Sequence, residues 1–444
     1  MDGLARRARL ARSRLYFVTD VVSEDLLDAA LRGGVDVVQL RDKELPDDEL
    51  VGAAAAFRRA CDRHGALFVL NDRPDLVERC DADGVHVGQG DPPVVDTRRI
   101  VGDDRIVGLS THAREQIERA DGADYIGVGT IFATPTKPGN DAAGVELLRV
   151  ARYAARVPWF AIGGIDAANV GDVVANGANG IAVVRAIRDA RDPEAAAREL
   201  RAALPAAEAV VTDGSVCIPQ IDWLRSTNGK AAPHVHAEHA DIFYLLEGTL
   251  EFRAGEGTVR LPAGSCIAAP PLLVHGFRNP TDEDAHYLNL HVPGGWSRAP
   301  QGTSDTQGAD RADPRARPVV TAPGDGDRLT KPHRLALIRV DLPQLALVEN
   351  FADGEFEGPE LHVHLRHADC FHVLEGALRF TLESGDVTVE AGTSVVVPPG
   401  VPHTFTSAAP RVHYVNVHAP NTGFVEYLRA LNAGERIPFD QYAV

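Results

Sequence analysis

Between residues 15 and 204, short apolar runs alternate with amphipathic stretches. The runs cover 15–19, 35–40, 67–70, 84–87, 106–109, 125–128, 159–162 and 180–184. They are rich in Val, Ile and Leu and show little polar alternation, which predicts strands buried on both faces. Helical patterns lie between most of them, as at 47–64, 111–120, 144–156 and 167–176. Asp47 and Asp48 after Pro46, and Asp166 before Ala167, suit helix N-termini. Eight strands with intervening helices in so short a stretch predict a closed parallel (β/α)8 barrel, with an open doubly wound sheet as the alternative. Past 206–209 the pattern changes. Alternating strands with Gly/Pro turns, as at 244–253 and 258–261, replace it, and helical patterning is nearly absent until 423–433.

The second half contains a repeat. The stretch from His234 to Gly248, HVHAEHADIFYLLEG, matches that from His362 to Gly376, HVHLRHADCFHVLEG. Further on, Tyr287-Leu-Asn-Leu-His matches Tyr414-Val-Asn-Val-His. Two copies of one all-β unit follow, joined by a polar Gly/Pro/Asp-rich linker. The expected organisation is an extension at 1–13, a barrel at 14–205, a first β unit at 210–297, a linker at 298–324 and a second β unit at 325–444.

Composition narrows the partners. The 444 residues carry a net charge of −18, which speaks against nucleic acid or an anionic membrane but leaves room for anionic substrates at a local positive site. Five scattered cysteines form no disulfide framework and are expected to pack as small apolar side chains. No run reaches the roughly 18 apolar residues of a membrane span. Arg6, Arg7, Arg9, Arg12 and Arg14 precede the first strand without a signal-peptide apolar region, so a short solvated extension and the cytoplasm are expected. A homo-oligomer is compatible with this composition.

Each apolar run of the first half ends in a polar cluster. These are Gln39-Leu40-Arg41-Asp42-Lys43, Asn71-Asp72-Arg73, Gly88-Gln89-Gly90-Asp91, Gly108-Leu109-Ser110, Thr134-Pro135-Thr136-Lys137 and Ile162-Gly163-Gly164. A parallel barrel builds its active site from such strand ends. Asp72 and Asp91 follow successive strands, and one or two carboxylates with substrate phosphates suffice for Mg2+. Arg41, Lys43 and Lys137 add positive charge and Ser110 a hydroxyl, a set suited to a pyrophosphate. Gly163-Gly164 and the loop after the eighth strand occupy the usual phosphate position of these barrels. Two phosphorylated substrates being joined is the reading that results.

Residues 14–204 resemble thiamine-phosphate synthases. The matching stretches are QLRDK (39–43), NDRPD (71–75), DGVHVGQGD (83–91), GLSTH (108–112), GTIFATPTKPG (129–139), AIGGI (161–165) and GIAVVRAI (180–187). The resemblance implies a Mg2+-dependent transferase. It would join an aminopyrimidine methyl diphosphate to a thiazole phosphate, or its carboxylate form, and release pyrophosphate. Asp72 and Asp91 would hold Mg2+. Gln39, Arg41, Lys43, Asn71, Ser110 and Lys137, with Leu40 and Asp42 of the same stretch, would hold the pyrimidine diphosphate. Of these, Lys137, Ser110 and Arg41 would carry catalysis. Thr134, Pro135, Thr136, Gly163, Gly164, Val184 and Arg185 would hold the thiazole phosphate. Members often have a small residue such as Ser where Arg185 stands. In the family the diphosphate leaves first and the thiazole nitrogen traps a pyrimidine-stabilised carbocation, which calls for charge stabilisation more than for a general base. The rival within the fold is a thiazole tautomerase, which needs no diphosphate site.

The repeated units resemble cupins. Each copy carries His-x-His-x4-Asp and a later His: His234, His236, Asp241 and His275, then His362, His364, Asp369 and His403. Two histidines two apart on a strand share a face. With the acid and the third histidine they form a set suited to Fe, Mn, Ni, Cu or Zn. Cupins usually have Glu where this chain has Asp241 and Asp369. His239 and His367 are alternative ligands or groups behind the ligands. Cupins span many activities, so the resemblance gives no reaction; the fusion to the barrel suggests an accessory or regulatory role beside the synthase. The other readings are a metal-dependent cupin dioxygenase or isomerase with a relic barrel, and a non-catalytic binding protein.

Overall fold

The computed structural model describes residues 1–134, 142–205, 208–218, 220–294, 306–307 and 312–444. The chain divides into two units, Met1–Ala207 and Glu208–Val444.

In the first unit β1 (Leu15–Thr19), β2 (Val37–Leu40), β3 (Leu67–Asn71), β4 (Gly84–Val87), β5 (Ile106–Thr111), β6 (Tyr125–Val128), β7 (Trp159–Ile162) and β8 (Ile181–Val183) pair in parallel, and β8 returns to β1. The closed barrel is the expected one. Its helices are α1 (Gly3–Arg12), α2 (Glu24–Arg32), α3 (Asp47–His64), α4 (Val94–Val101), α5 (Arg114–Glu118), α6 (Glu146–Ala154), α7 (Val170–Ala175), α8 (Arg185–Arg188) and α9 (Pro193–Ala203). A short 3-10 turn, Pro74–Leu76, stands between β3 and β4. Helix α3 shows why the sequence places it. Asp47, Asp48 and Glu49 fill the first turn, and Gly65 at φ 66° ends the helix in the left-handed conformation.

The apolar runs conceal an alternation. One set of positions, including Phe17, Val38, Leu40, Phe68, Val85, Val107 and Ile126, packs outward against the helices. The intervening set, Tyr16, Val18, Val37, Leu67, Val69, Ile106, Tyr125, Phe160 and Ala182, fills the barrel interior. Gly108 belongs to the inward set, and a Cβ there would lie 2.1 Å from the Tyr125 ring.

The N-terminal segment is not the solvated extension that its arginines suggest. Asp2 caps α1, its side chain accepting from Ala5 N at 2.8 Å. Leu10, 1% exposed, joins the interior cluster from below. Arg6 is buried and pairs with Asp83 at 2.9 Å, and Arg7 pairs with Asp124 at 2.7 Å. Asp83 and Asp124 stand just before β4 and β6, so α1 plugs the end of the barrel where the strands begin.

In the second unit each repeat copy contributes two facing sheets. The first copy has Val216–Cys217, Asp222–Thr227, His286–Val292, Ala240–Glu247 and Cys266–Ala269 in one sheet, and Gly257–Pro262, Thr249–Ala254, His275–Arg278 and Ala231–His236 in the other. The second copy repeats this order, with identical pairings at the histidines: His234 faces His275 as His362 faces His403. Two edge strands are exchanged. Val210–Thr212, ahead of the first copy, pairs with Ser394–Val396 of the second. Val319–Thr321, within the stretch expected as linker, pairs with Cys266–Ala268 of the first. One core joins Trp223, Ile242, Leu288 and Leu290 of the first copy to Leu347, Cys370, Val396 and Val417 of the second. Across it the Trp223 indole donates to Ser394 Oγ at 3.0 Å, and the Tyr244 hydroxyl to Glu349 Oε1 at 2.9 Å. Cys61, Cys80, Cys266 and Cys370 are buried, Cys217 is half-buried, and all five are free. Among the described residues no helix is long and apolar enough to cross a membrane.

Candidate functional site

At the end of the barrel where the strands finish, the inward positions turn from apolar to polar. A cavity of about 550 Å³ opens there. Gln39, Arg41, Asn71 and Ser110, from the ends of β2, β3 and β5, line it together with Thr134, Gly163, Gly164, Val184 and Arg185, which follow β6, β7 and β8. The floor is a hydrogen-bonded chain. Gln39 Nε2 donates to Tyr16 Oη at 2.8 Å, and Tyr16 and Tyr125 share a bond of 2.8 Å. His86 then bridges Tyr125 Oη at 3.1 Å and Ser110 Oγ at 2.9 Å. Burial raises the pKa of both tyrosines, so they stay neutral and act only through their hydroxyl hydrogen bonds.

Asp72 directly follows the lining residue Asn71, but neither it nor Asp91 is among the residues that line this cavity. Asp72, at φ 58°, turns sharply off β3, and its N–H donates to His86 O at 2.8 Å. Asn71 Nδ2 donates to Asp72 Oδ2 at 2.6 Å, and Lys43 Nζ lies 3.8 Å from the same oxygen. Asp91 Oδ2 accepts from Gly88 N at 2.7 Å, fixing that loop. Burial and the facing Asp91 carboxyl raise the pKa of Asp72. Two carboxylates held together against their repulsion make a place for a cation, so the residues present fit Mg2+.

Other expected residues fall elsewhere. The Leu40 side chain packs in the outer core, and Asp42 caps its own loop by accepting from Glu44 N at 3.0 Å and Leu45 N at 3.2 Å. Pro135, Thr136 and Lys137 lie outside the described residues. Gly163 and Gly164 sit at φ 110° and 65°. A Cβ on Gly163 would meet Thr130 Cγ2 at 2.5 Å, so close packing as well as conformation demands glycine here.

Each copy of the second unit gathers its four expected residues, and their ligand atoms all lie within 4.8 Å of one another. In the second copy His362 Nδ1 donates to Glu360 O at 2.9 Å, His403 Nδ1 to Val401 O at 3.0 Å, and His364 Nδ1 to Asp440 O. Carbonyls only accept, so each Nδ1 carries a proton and each ring turns its Nε2 inward. His362 Nε2 and His364 Nε2 are 3.1 Å apart, and His403 Nε2 is 3.2 Å from Asp369 Oδ2. Burial, with His403 and His364 nearby, pushes the His362 pKa down to about 3. Burial alone would raise Asp369, but the surrounding histidines hold it well below the usual carboxylate range. Three inward Nε2 atoms and a carboxylate converging on one point fit a cation. In the first copy His234 Nδ1 donates to Ala232 O at 2.7 Å and His275 Nδ1 to Leu273 O at 2.9 Å, with His234 Nε2 and His236 Nε2 again 3.1 Å apart.

Behind the second cluster runs a relay that the motif does not announce. Asp369 Oδ1 accepts from Asn416 Nδ2 at 2.5 Å and lies 3.3 Å from His418 Nε2. His418 Nδ1 meets His367 Nε2 at 2.8 Å, and His367 Nδ1 meets Asp440 Oδ2 at 2.9 Å. His367 thus bonds away from the cluster, although His364, His367 and His418 also lie close enough together to share an ion.

Comparison with known proteins assigns the barrel. A thiamine monophosphate synthase family model matches residues 15–187. A thiamine-phosphate synthase of Thermobifida fusca is 49% identical over 212 residues, which span 46% of this chain and 97% of the relative. The chain belongs to the thiamine-phosphate synthase family. A second thiamine-phosphate synthase, from Saccharopolyspora erythraea, is 47% identical over 219 residues, 46% of this chain and 98% of that one. Among solved structures, a thiamine phosphate pyrophosphorylase of Pyrococcus furiosus has 34% identity and a TM-score of 0.41, covering 44% of this chain and 96% of its own. A cupin domain model matches residues 226–291 and 347–417. The barrel is therefore a thiamine-phosphate synthase barrel, a transferase fold, followed by two cupin copies. Within it the strand-end clusters are the residues the sequence displays. Tyr16, His86 and Tyr125 are the ones it hides, because they occupy inward positions inside apolar runs; reading each run at period two exposes them.

Proposed function

We propose that the barrel condenses a pyrimidine methyl diphosphate with a thiazole phosphate, or its carboxylate form, giving thiamine phosphate and pyrophosphate. What supports this is that residues of both kinds line one cavity: Gln39, Arg41, Asn71 and Ser110 at the ends of β2, β3 and β5, and Gly163, Gly164, Val184 and Arg185 after β7 and β8. The C–O bond to the diphosphate breaks, the thiazole nitrogen bonds to the freed methylene carbon, and pyrophosphate leaves with the electron pair. Arg41, Lys43 and Lys137 offset the charge that grows on the leaving group. Asp72 and Asp91 would hold Mg2+, which supplies further charge neutralisation there. Gln39 and Ser110, fixed by the tyrosine–histidine chain, orient the pyrimidine side. A tautomerase has no use for the paired carboxylates beside a cationic rim.

The cupin copies would hold divalent transition metals, Fe, Mn, Ni, Cu or Zn, through His234, His236, Asp241 and His275 and through His362, His364, Asp369 and His403. Their role beside the synthase is accessory or regulatory. The full chain, purified without chelator, should release pyrophosphate and form thiamine phosphate from the two substrates with Mg2+, and should carry up to about two equivalents of transition metal. Lys137→Ala should lower turnover by at least about a hundredfold. Absence of product from the wild type sinks the synthase reading, and absence of metal sinks the cupin sites.

A further inference from the structure

The second cupin copy holds a cavity that the synthase chemistry leaves unused. It measures about 320 Å³, the liquid volume of roughly ten waters and the lower end for small-molecule sites. His362, His364, Asp369, Asn416 and His418 form its polar wall. Phe405, Tyr414, Tyr427, Leu428 and Leu431 supply an apolar one, the last three from the helix Phe424–Ala433. Between them stands Arg334, half-buried, its guanidinium 4.4 Å above the Phe356 ring and against the Tyr414 hydroxyl.

Among the described residues no carboxylate pairs with Arg334. The other charged lining groups do not serve it. Lys331 and Glu357 are exposed at the rim, and the Asp369 oxygens are engaged by Asn416, His403 and His418. A guanidinium stiffened by aromatic contacts presents a planar fork matched to a carboxylate. One such cation beside an apolar wall, with Glu357 at the rim, favours a monoanion over a phosphate dianion.

We propose that this cavity binds a small organic carboxylate, its carboxylate on Arg334 and its apolar body against Tyr414, Phe405 and the C-terminal helix. The inference goes beyond the metal assignment and does not depend on it. The test is calorimetric titration of the full chain, dialysed against EDTA, with benzoate and hexanoate and with their neutral amides. The acids should bind, the amides at least about tenfold more weakly, and Arg334→Met should weaken the acids by about tenfold or more. Leu428→Trp, which fills the space, should abolish acid binding with barrel turnover unchanged. Equal binding of acids and amides by the wild type overturns the proposal, as does acid binding undiminished in either variant. No acid binding up to millimolar concentrations overturns it too. Acid binding that returns only with restored metal and ignores Arg334→Met assigns the carboxylate to the metal and refutes the role of Arg334. Inorganic phosphate binding more tightly than the acids refutes the ligand class. If Arg334→Met fails to fold, the wild-type comparison and Leu428→Trp still decide.

Discussion

Asp72 illustrates how a site residue stands against the stability of its own fold. Burial and the nearby Asp91 carboxyl raise its pKa, so the charged form is disfavoured in the folded state. The sign follows from linkage. Its stabilising contribution is complete below the unfolded value of about 3.9 and is lost as pH rises through the folded one. In metal-free protein at neutral pH, Asp72→Asn should therefore melt higher than the wild type, with the difference closing below about pH 4. Mg2+ should raise the wild-type melting temperature and leave that of the variant unmoved. A variant that melts lower at neutral pH contradicts this account. At this scale the polar clusters were legible because strand ends are exposed and interrupt apolar runs. Tyr16, His86 and Tyr125 were not, since an inward polar side chain inside a barrel strand looks like part of the run. In the cupin copies the histidine pairs were plain. The Asn and His of Tyr287-Leu-Asn-Leu-His and Tyr414-Val-Asn-Val-His were visible as a repeat, and only geometry shows Asn289 and Asn416 bonded to Asp241 and Asp369.

Helix α1 shows what an element gains from tertiary partners. Its arginines read as a solvated tail because periodicity says nothing about which charges find buried mates. Arg6 does, in Asp83. Burial alone would raise Asp83, but Arg58, the Phe68 N–H and Arg6 together bring it below its usual range. Arg6→Ala removes one of these and should cost about 1–3 kcal/mol in urea unfolding. A folded pKa below the unfolded one stabilises above that unfolded value and fades as pH falls, so the deficit should narrow below about pH 4. A deficit unchanged with pH would assign the loss to packing alone. The strands were legible to within a residue or two, as burial on both faces leaves little but apolar side chains. Helix α7 starts later than its pattern because Asn169 turns the chain ahead of it, accepting from Asp166 N at 3.0 Å and donating to Gly164 O at 2.9 Å.

At the scale of the whole molecule, the repeat reads as two modules while the physics makes one. The copies share a core around Trp223 and Leu347, and each completes its sheet with a strand from beside the other. Residues 208–444 should unfold in one cooperative urea transition, and pieces 210–297 and 325–444 prepared separately should show none. A sharp transition in either piece would restore the modular picture. Residues 1–207 should keep their turnover without the remainder. The exchange of strands also bears on the order of synthesis. Residues 210–212 are synthesised well before their partners at 394–396. The nascent first copy must wait with part of the Trp223 core open, whereas the synthase barrel has all its strands before residue 184 and can close at once. Translation thus completes the barrel first and leaves the shared cupin core open until the strands of the second copy arrive.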